Sequence, residues 1–274
     1  MERIFILGAG AMAEAFIKGV VSQHLIEPQR IRVLNRQRPE RLRALNDLYG
    51  VTPAESVREA RDADVIVLAV KPYDVKEACQ SLTPYLDGQT IISFAAGIPI
   101  RFMQEATGGR AQIVRTMPNV PVAVLEGAIA LSAAPDVDGD RIDQAKTLLS
   151  KLGTVVELEE SMMDAATAFS GSGPGFVSFF LEAMELAAVD LGFSAEMARS
   201  LLIQTVVGTA KVLEEWGLSP TELRERVTSP NGTTHAGLTI LSERNVQQAI
   251  ADALRQAQLR SVEMGTEYTE PSEA

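Results

Sequence analysis

The chain has 274 residues, 46% of them apolar and 22% charged, a composition that suits a folded protein long enough for two domains. A net charge of −11 argues against nucleic acid and anionic membrane as principal partners, yet leaves room for a local positive pocket that takes an anionic cofactor. The only cysteine, Cys79, excludes a disulfide framework, and two distant histidines, His24 and His235, offer no metal-ligand spacing. Cys79 reads as a half-buried spectator thiol, and the expected compartment is the cytoplasm. No signal-peptide pattern opens the chain, and no apolar run approaches the roughly 18–20 residues of a membrane span.

Short apolar runs alternate with helical patterns through the first half, as in a parallel sheet covered by helices. Strands are expected at residues 4–7, 31–34, 65–70, 90–94, 112–116, 128–131 and 155–158. Helices are expected at 12–22, 39–49, 75–82, 100–106 and 138–152. The run at 65–70 is almost wholly apolar and β-branched, the composition of a strand buried on both faces. Beyond about residue 160 strand patterns vanish, and helices are expected at 177–191, 194–216, 220–227, 233–244 and 246–268. The long ones are too apolar for a single covered face, so they should bury themselves against a second subunit. The expected fold is α/β, with a doubly wound sheet over residues 1–160 and an all-helical dimerisation domain over 161–274. The polar residues 269–274 are expected to fray.

Gly8-Ala9-Gly10-Ala11-Met12-Ala13 stands directly after the first strand and opens the first helix, the context that turns a glycine pattern into a dinucleotide fingerprint. Gly8 permits the sharp turn, Gly10 lets a pyrophosphate approach the backbone, and Ala13 takes the place of the third glycine. The plain alternative is a glycine-rich turn that binds nothing. At the end of the second strand, an acidic residue would hold the ribose 2′-hydroxyl of NAD. Here the chain carries Asn35 and Arg36, with Arg38 beyond. Arg36 can pair with a 2′-phosphate, so NADP is expected, NADPH over NADH, unless Arg36 is merely a solvated loop residue.

The third and fourth apolar strands end in Ala69-Val70-Lys71-Pro72 and Ser93-Phe94-Ala95-Ala96-Gly97. These ends fall at the carboxyl edge of the sheet, where open α/β folds bind ligands. Small residues at Ala95, Ala96 and Gly97 let a nicotinamide or ribose lie against the backbone, and Lys71 either reaches the cofactor or is solvated. Far downstream, Ser229-Pro230-Asn231-Gly232-Thr233-Thr234 forms a tight turn before a helix that Thr233 or Thr234 can cap. Its backbone N–H groups and hydroxyls suit a carboxylate or phosphate, although alone it is also an ordinary capped helix.

Taken in order, these segments resemble the pyrroline-5-carboxylate reductase family, together with Arg115-Thr116-Met117-Pro118-Asn119, Ser170-Gly171-Ser172-Gly173-Pro174 and residues 227–238 (VTSPNGTTHAGL). The likeness runs from the first strand to about Leu238. The glycine fingerprint is common to many oxidoreductases; the SGSGP and SPxGTT segments are far more specific. The resemblance implies a Rossmann-type domain followed by a helical domain that interlocks with its twin in a homodimer, sometimes built into rings of dimers. It also implies NADPH-dependent hydride transfer to the C=N of 1-pyrroline-5-carboxylate, giving L-proline, the last step of proline biosynthesis.

By the same likeness the cofactor meets Leu7, Gly8, Ala9, Gly10, Ala11, Met12, Asn35, Arg36, Ser56, Ala69, Val70, Lys71, Pro72, Ala95, Ala96, Gly97 and Met117. The cyclic imine carboxylate meets Glu160, Asn119, Ser229, Gly232, Thr233 and Thr234, with Thr234 nearest the ring nitrogen as the catalytic group. Read from its neighbours alone, Glu160 is a solvated charge in the acidic run 157–160, and His235 packs on the first helical turn. Asn231 stands where glycine is usual, and Asn tolerates the left-handed conformation of a tight turn; Val120, Gly175 and Arg226 also depart from the common pattern. Other readings are a different cyclic-imine reductase, a non-catalytic NADP-binding sensor, and a β-hydroxyacid dehydrogenase. The last usually needs a catalytic lysine in the helical domain, where Lys211 is the only one available.

Overall fold

The computed structural model describes residues 3–36 and 38–269 and divides the chain into two compact units. The first comprises residues 1–174 and 256–274, the second residues 175–255. Of the tail expected to fray, residues 270–274 lie outside the described residues.

The first unit is built on an eight-stranded sheet in the order β3-β2-β1-β4-β5-β6-β7-β8. The strands are β1 Ile4–Leu7, β2 Ile31–Leu34, β3 Thr52–Pro53, β4 Val65–Leu68, β5 Thr90–Ser93, β6 Gln112–Met117, β7 Gly127–Ala133 and β8 Gly153–Glu157. From β3 across to β6 all neighbours are parallel, whereas β7 runs antiparallel to β6 and β8 parallel to β7. The reversal follows from the connection: residues 118–126 hold only the short 3₁₀ turn Val120–Val124, too little chain for a parallel crossover. β1, β4 and β5 are buried along their whole length, as expected of strands with helices on both faces.

The covering helices are α1 Ala11–Ser22, α2 Pro39–Tyr49, α3 Val75–Leu82, α4 Ile100–Ala106 and α5 Gly139–Ser150. Pro39 starts α2 at the position where a missing N–H costs nothing, and Gly50 ends it in the left-handed region with φ 72°. Phe16 of α1 meets Phe94, just past β5, edge to face with ring centroids 5.4 Å apart. Cys79 on α3 is fully buried rather than half-buried, and burial pushes its thiol up to about 12, which keeps it protonated and inert. The strand order turns back between β1 and β4, which opens the crevice at the carboxyl edge where dinucleotides bind in such sheets.

Helix α6, Met163–Ala166, runs into a π turn at Thr167–Gly171 before α7, Gly173–Asp190. Ser172 N donates to Thr167 O at 2.9 Å, and the hydroxyls of Thr167 and Ser170 bond back to the carbonyls of Met163 and Ala166. The Ser170–Pro174 segment is thus a kinked helix entry, not a flexible linker.

The second unit carries the rest of α7, α8 Ala195–Trp216, α9 Pro220–Arg226, α10 Thr233–Glu243 and the first turns of α11, Val246–Thr269. Ser194 caps α8, and Ser219 with Glu222 forms a capping box on α9. Along α7, α8 and α10 only Ala198 is buried, while Phe179, Leu186, Leu191 and Trp216 stand 69%, 63%, 81% and 60% exposed. Apolar surface on this scale marks a face made for another chain. Among the described residues, no helix is long and apolar enough to cross a membrane.

Candidate active site

At the carboxyl edge the strands stay tied one residue past their ends. Gly8 N donates to Leu34 O, Ala69 N to Leu7 O and Phe94 N to Leu68 O, each at 2.9 Å. Gly8 holds φ 113°, and a Cβ there would collide with the Ala69 carbonyl. This position therefore accepts only glycine. Leu7 and Ala9 are buried, whereas Gly10 and Ala11 are exposed at the head of α1, with Met12 half-buried. Gly10 is the N-cap with φ −75°, and a Cβ on it would meet no atom within 4 Å. The loop thus leaves an open cradle of helix-start N–H groups, the shape a pyrophosphate requires. Arg41 of α2 holds this loop from behind: its Nε donates to Ala9 O at 3.1 Å, and its guanidinium pairs with Glu14.

Beyond β2, Asn35 Oδ1 accepts from Arg38 N at 3.1 Å, turning the chain into α2. Arg36 is 63% exposed, and its Nη2 lies 2.6 Å from Glu77 Oε1. Ser56 caps the 3₁₀ turn Val57–Asp62, its Oγ accepting from Arg58 N at 3.3 Å. Glu59 completes that box by accepting from Glu55 N and Ser56 N, and it pairs with Arg32. Burial opposes the charge on Glu59 more than any other influence, but these hydrogen bonds together outweigh it and hold the carboxyl below its ordinary pKa. Lys71 is exposed, and its carbonyl accepts from Asp74 N at the turn that Pro72 opens.

The Ala95–Gly97 loop is pinned by the end of α11. Gly97 has φ 75°, and a Cβ there would lie 2.8 Å from Ser261 O and 3.1 Å from Gly265 N. Arg115 of β6, only 4% exposed, pairs with Glu160 and Asp164 at 3.2 Å each, and Ser261 Oγ donates to Asp164 Oδ1 at 2.8 Å. Glu160 Oε1 also accepts from Ile100 N at 2.6 Å, at the first turn of α4. Glu160 is therefore not merely solvated: it joins β6 to α4. Met117 packs against Gly171 in the π turn. Asn119 is buried with both ends of its amide engaged, Nδ2 donating to Ser170 O at 3.0 Å and Oδ1 accepting from Ala128 N at 2.9 Å. Arg41, Asp164 and Ser261, which fasten these loops, were not evident as site residues in the sequence. The one hint was the run of basic residues from Arg36 into α2.

In the second unit, Gly232 N donates to Ser229 O at 3.0 Å, and Asn231 takes φ 59°, the left-handed conformation its side chain tolerates. Gly232 itself is the N-cap of α10, with no side-chain cap. Neither Thr233 nor Thr234 caps the helix, contrary to expectation, because both already have helical backbone as its first two residues. Ser229, Thr233 and Thr234 are exposed, as is His235. The turn thus presents hydroxyls beside unpaired helix-start N–H groups. Among the described residues, no three His, Cys, Asp or Glu cluster as metal ligands.

Residues 160–264 match the family model for pyrroline-5-carboxylate reductase dimerisation, and residues 3–97 the model for NADP oxidoreductase, coenzyme F420-dependent. The chain is 37% identical over 269 residues to pyrroline-5-carboxylate reductase 2 of Bacillus subtilis, covering 98% of this chain and 97% of that one. A pyrroline carboxylate reductase of Plasmodium falciparum, solved with NADP bound, superposes with a TM-score of 0.89 at 28% identity over 96% of this chain and 98% of its own. A pyrroline-5-carboxylate reductase of Coxiella burnetii gives 0.87 at 34% identity, with the same coverage of 96% and 98%. Alike from end to end in sequence and in fold, and carrying the matched dimerisation segment, this chain belongs to the pyrroline-5-carboxylate reductase family.

Proposed function

We infer that the protein is an NADP-dependent oxidoreductase that reduces the C=N bond of 1-pyrroline-5-carboxylate to give L-proline. The observation that carries this reading is the match to named reductases at 37% identity over 98% of the chain. The open cradle at Gly10 fits the cofactor's pyrophosphate, and Arg36 supplies the cation for its 2′-phosphate, favouring NADPH over NADH. Bound NADPH supplies the hydride for C5 of the imine ring.

The chain's own part is to bind and orient. A protonated imine is already electrophilic, so hydrogen bonding and placement can carry most of the work. Backbone N–H groups around Ser229–Thr233 hold the substrate carboxylate at the positive end of α10. Thr234 hydrogen-bonds the ring nitrogen and is the catalytic group. Leu7–Met12, Asn35, Ser56, Ala69–Pro72, Ala95–Gly97 and Met117 line the cofactor. Glu160 and Asn119, tied as they are to α4 and the π turn, shape the substrate side.

The exposed apolar faces of α7 and α8 support a homodimer through the helical domain; rings of dimers and a cytoplasmic location are part of the same proposal. Lys211, which a β-hydroxyacid dehydrogenase would need as its catalytic lysine, is exposed on α8 and nothing favours that reading. Removing one transition-state donor costs on the order of 10²-fold in turnover. Thr234→Ala should therefore cut turnover by about that factor and leave NADPH affinity unchanged; undiminished turnover rejects the role.

A further inference from the structure

We propose that Glu77 is a built-in rival of the cofactor's 2′-phosphate at Arg36, and that this carboxylate sets how strongly the enzyme prefers NADPH to NADH. The proposal rests on the reading of Arg36 as the group that meets the 2′-phosphate. Arg36 stands at the carboxyl end of β2, two residues after Leu34, whose carbonyl accepts from Gly8 of the cofactor loop at 2.9 Å. Glu77 lies in the first turn of α3, the helix that follows β4 on the far side of β1. The two side chains therefore reach toward each other across the head of the crevice, and they meet at 2.6 Å with 63% and 59% of their surfaces exposed.

A guanidinium offers its donors in one plane, and one carboxylate already occupies the Nη2 edge. A phosphate monoester brings a charge of about −1.5 to −2 and three acceptor oxygens to the same group. Both anions cannot approach Arg36 without repelling each other, so Glu77 must swing aside when the phosphate arrives. Asp74, in the turn before α3, adds negative potential at Arg36. The hydrogen bond from Arg36, then its charge, keep the Glu77 carboxyl below its ordinary pKa, so it is ionised at neutral pH. NADH carries only a hydroxyl at this place and does not compete. Glu77 thus weakens the enzyme's hold on NADPH selectively, narrowing the preference that Arg36 creates.

The test is a fluorescence titration of the full-length wild type, Glu77→Gln, Arg36→Gln and the double variant with NADPH and with NADH, at low and high salt. Glu77→Gln should tighten NADPH about two- to fivefold, the size of an exposed ion pair, and leave NADH unchanged. The gain should shrink at high salt and vanish in the Arg36→Gln background. Unchanged or weaker NADPH binding in Glu77→Gln overturns the proposal, and so does a gain that persists without Arg36. Undiminished NADPH binding in Arg36→Gln alone overturns the reading of Arg36 itself, and the proposal with it.

Discussion

Gly10 and Gly8 stand two residues apart in one loop, yet alanine should act on them in opposite ways. A Cβ on Gly10 meets no protein atom within 4 Å, and its φ of −75° is one that alanine adopts freely. Alanine is a poorer N-cap than glycine, but it lowers the entropy of the unfolded chain, so Gly10→Ala should change stability by less than about 1 kcal/mol. In a chain of this size that is a shift of roughly 2–4 °C in Tm at most. The added methyl projects instead into the open cradle that the pyrophosphate is to fill. Overpacking of one methyl costs about 1–3 kcal/mol, or about 5- to 140-fold in NADPH affinity. Gly8→Ala, by contrast, places a Cβ against the Ala69 carbonyl at φ 113°, and should destabilise the fold by more than about 2 kcal/mol. Thermal unfolding and calorimetric NADPH titration of both variants separate the two effects. Normal NADPH affinity in Gly10→Ala refutes the cradle, and a loss of Tm matching that of Gly8→Ala refutes the claim that its surroundings are empty.

Arg115→Met leaves the carboxylates of Glu160 and Asp164 facing each other without their buried cation. The cost should be about 3 kcal/mol, the low end for a broken buried pair because both carboxylates keep some contact with water; a change below about 1 kcal/mol in urea unfolding contradicts the network's role. Glu59 has a folded pKa below its unfolded value of about 4.3. Its contribution to stability is therefore present above that pH and lost as the pH falls through the folded value. Glu59→Gln should flatten the acid limb of the stability profile below about pH 4.5; superimposable acid limbs overturn this assignment.

The sheet strands and their helices were legible as apolar runs and amphipathic stretches, with ends displaced by a residue or two. β3 was not, because Thr52–Pro53 pairs through too few residues to leave a pattern. The direction of β7 is absent from its periodicity and follows from the short connection at 118–126. At the Ser229–Thr234 turn the residues were evident, but not which one caps α10. Once Asn231 takes the left-handed conformation, the extended N-cap position falls to Gly232 and both threonines enter the helix. The Arg115–Asp164–Ser261 network was invisible for a different reason: its last link joins residues 97 positions apart. No local pattern records such a contact. The loss of amphipathic contrast in α7 and α8, conversely, already pointed to a face covered by another chain.

The central claim, imine reduction with NADPH, meets its most direct test in cofactor oxidation by the purified full chain. With 1-pyrroline-5-carboxylate present, NADPH should be consumed at a rate typical of enzymes, about 1–10³ s⁻¹, and L-proline should appear mole for mole. A panel of β-hydroxyacids with NADP should give no reaction. NADPH that binds but is not consumed, or hydroxyacid oxidation in place of imine reduction, contradicts the account.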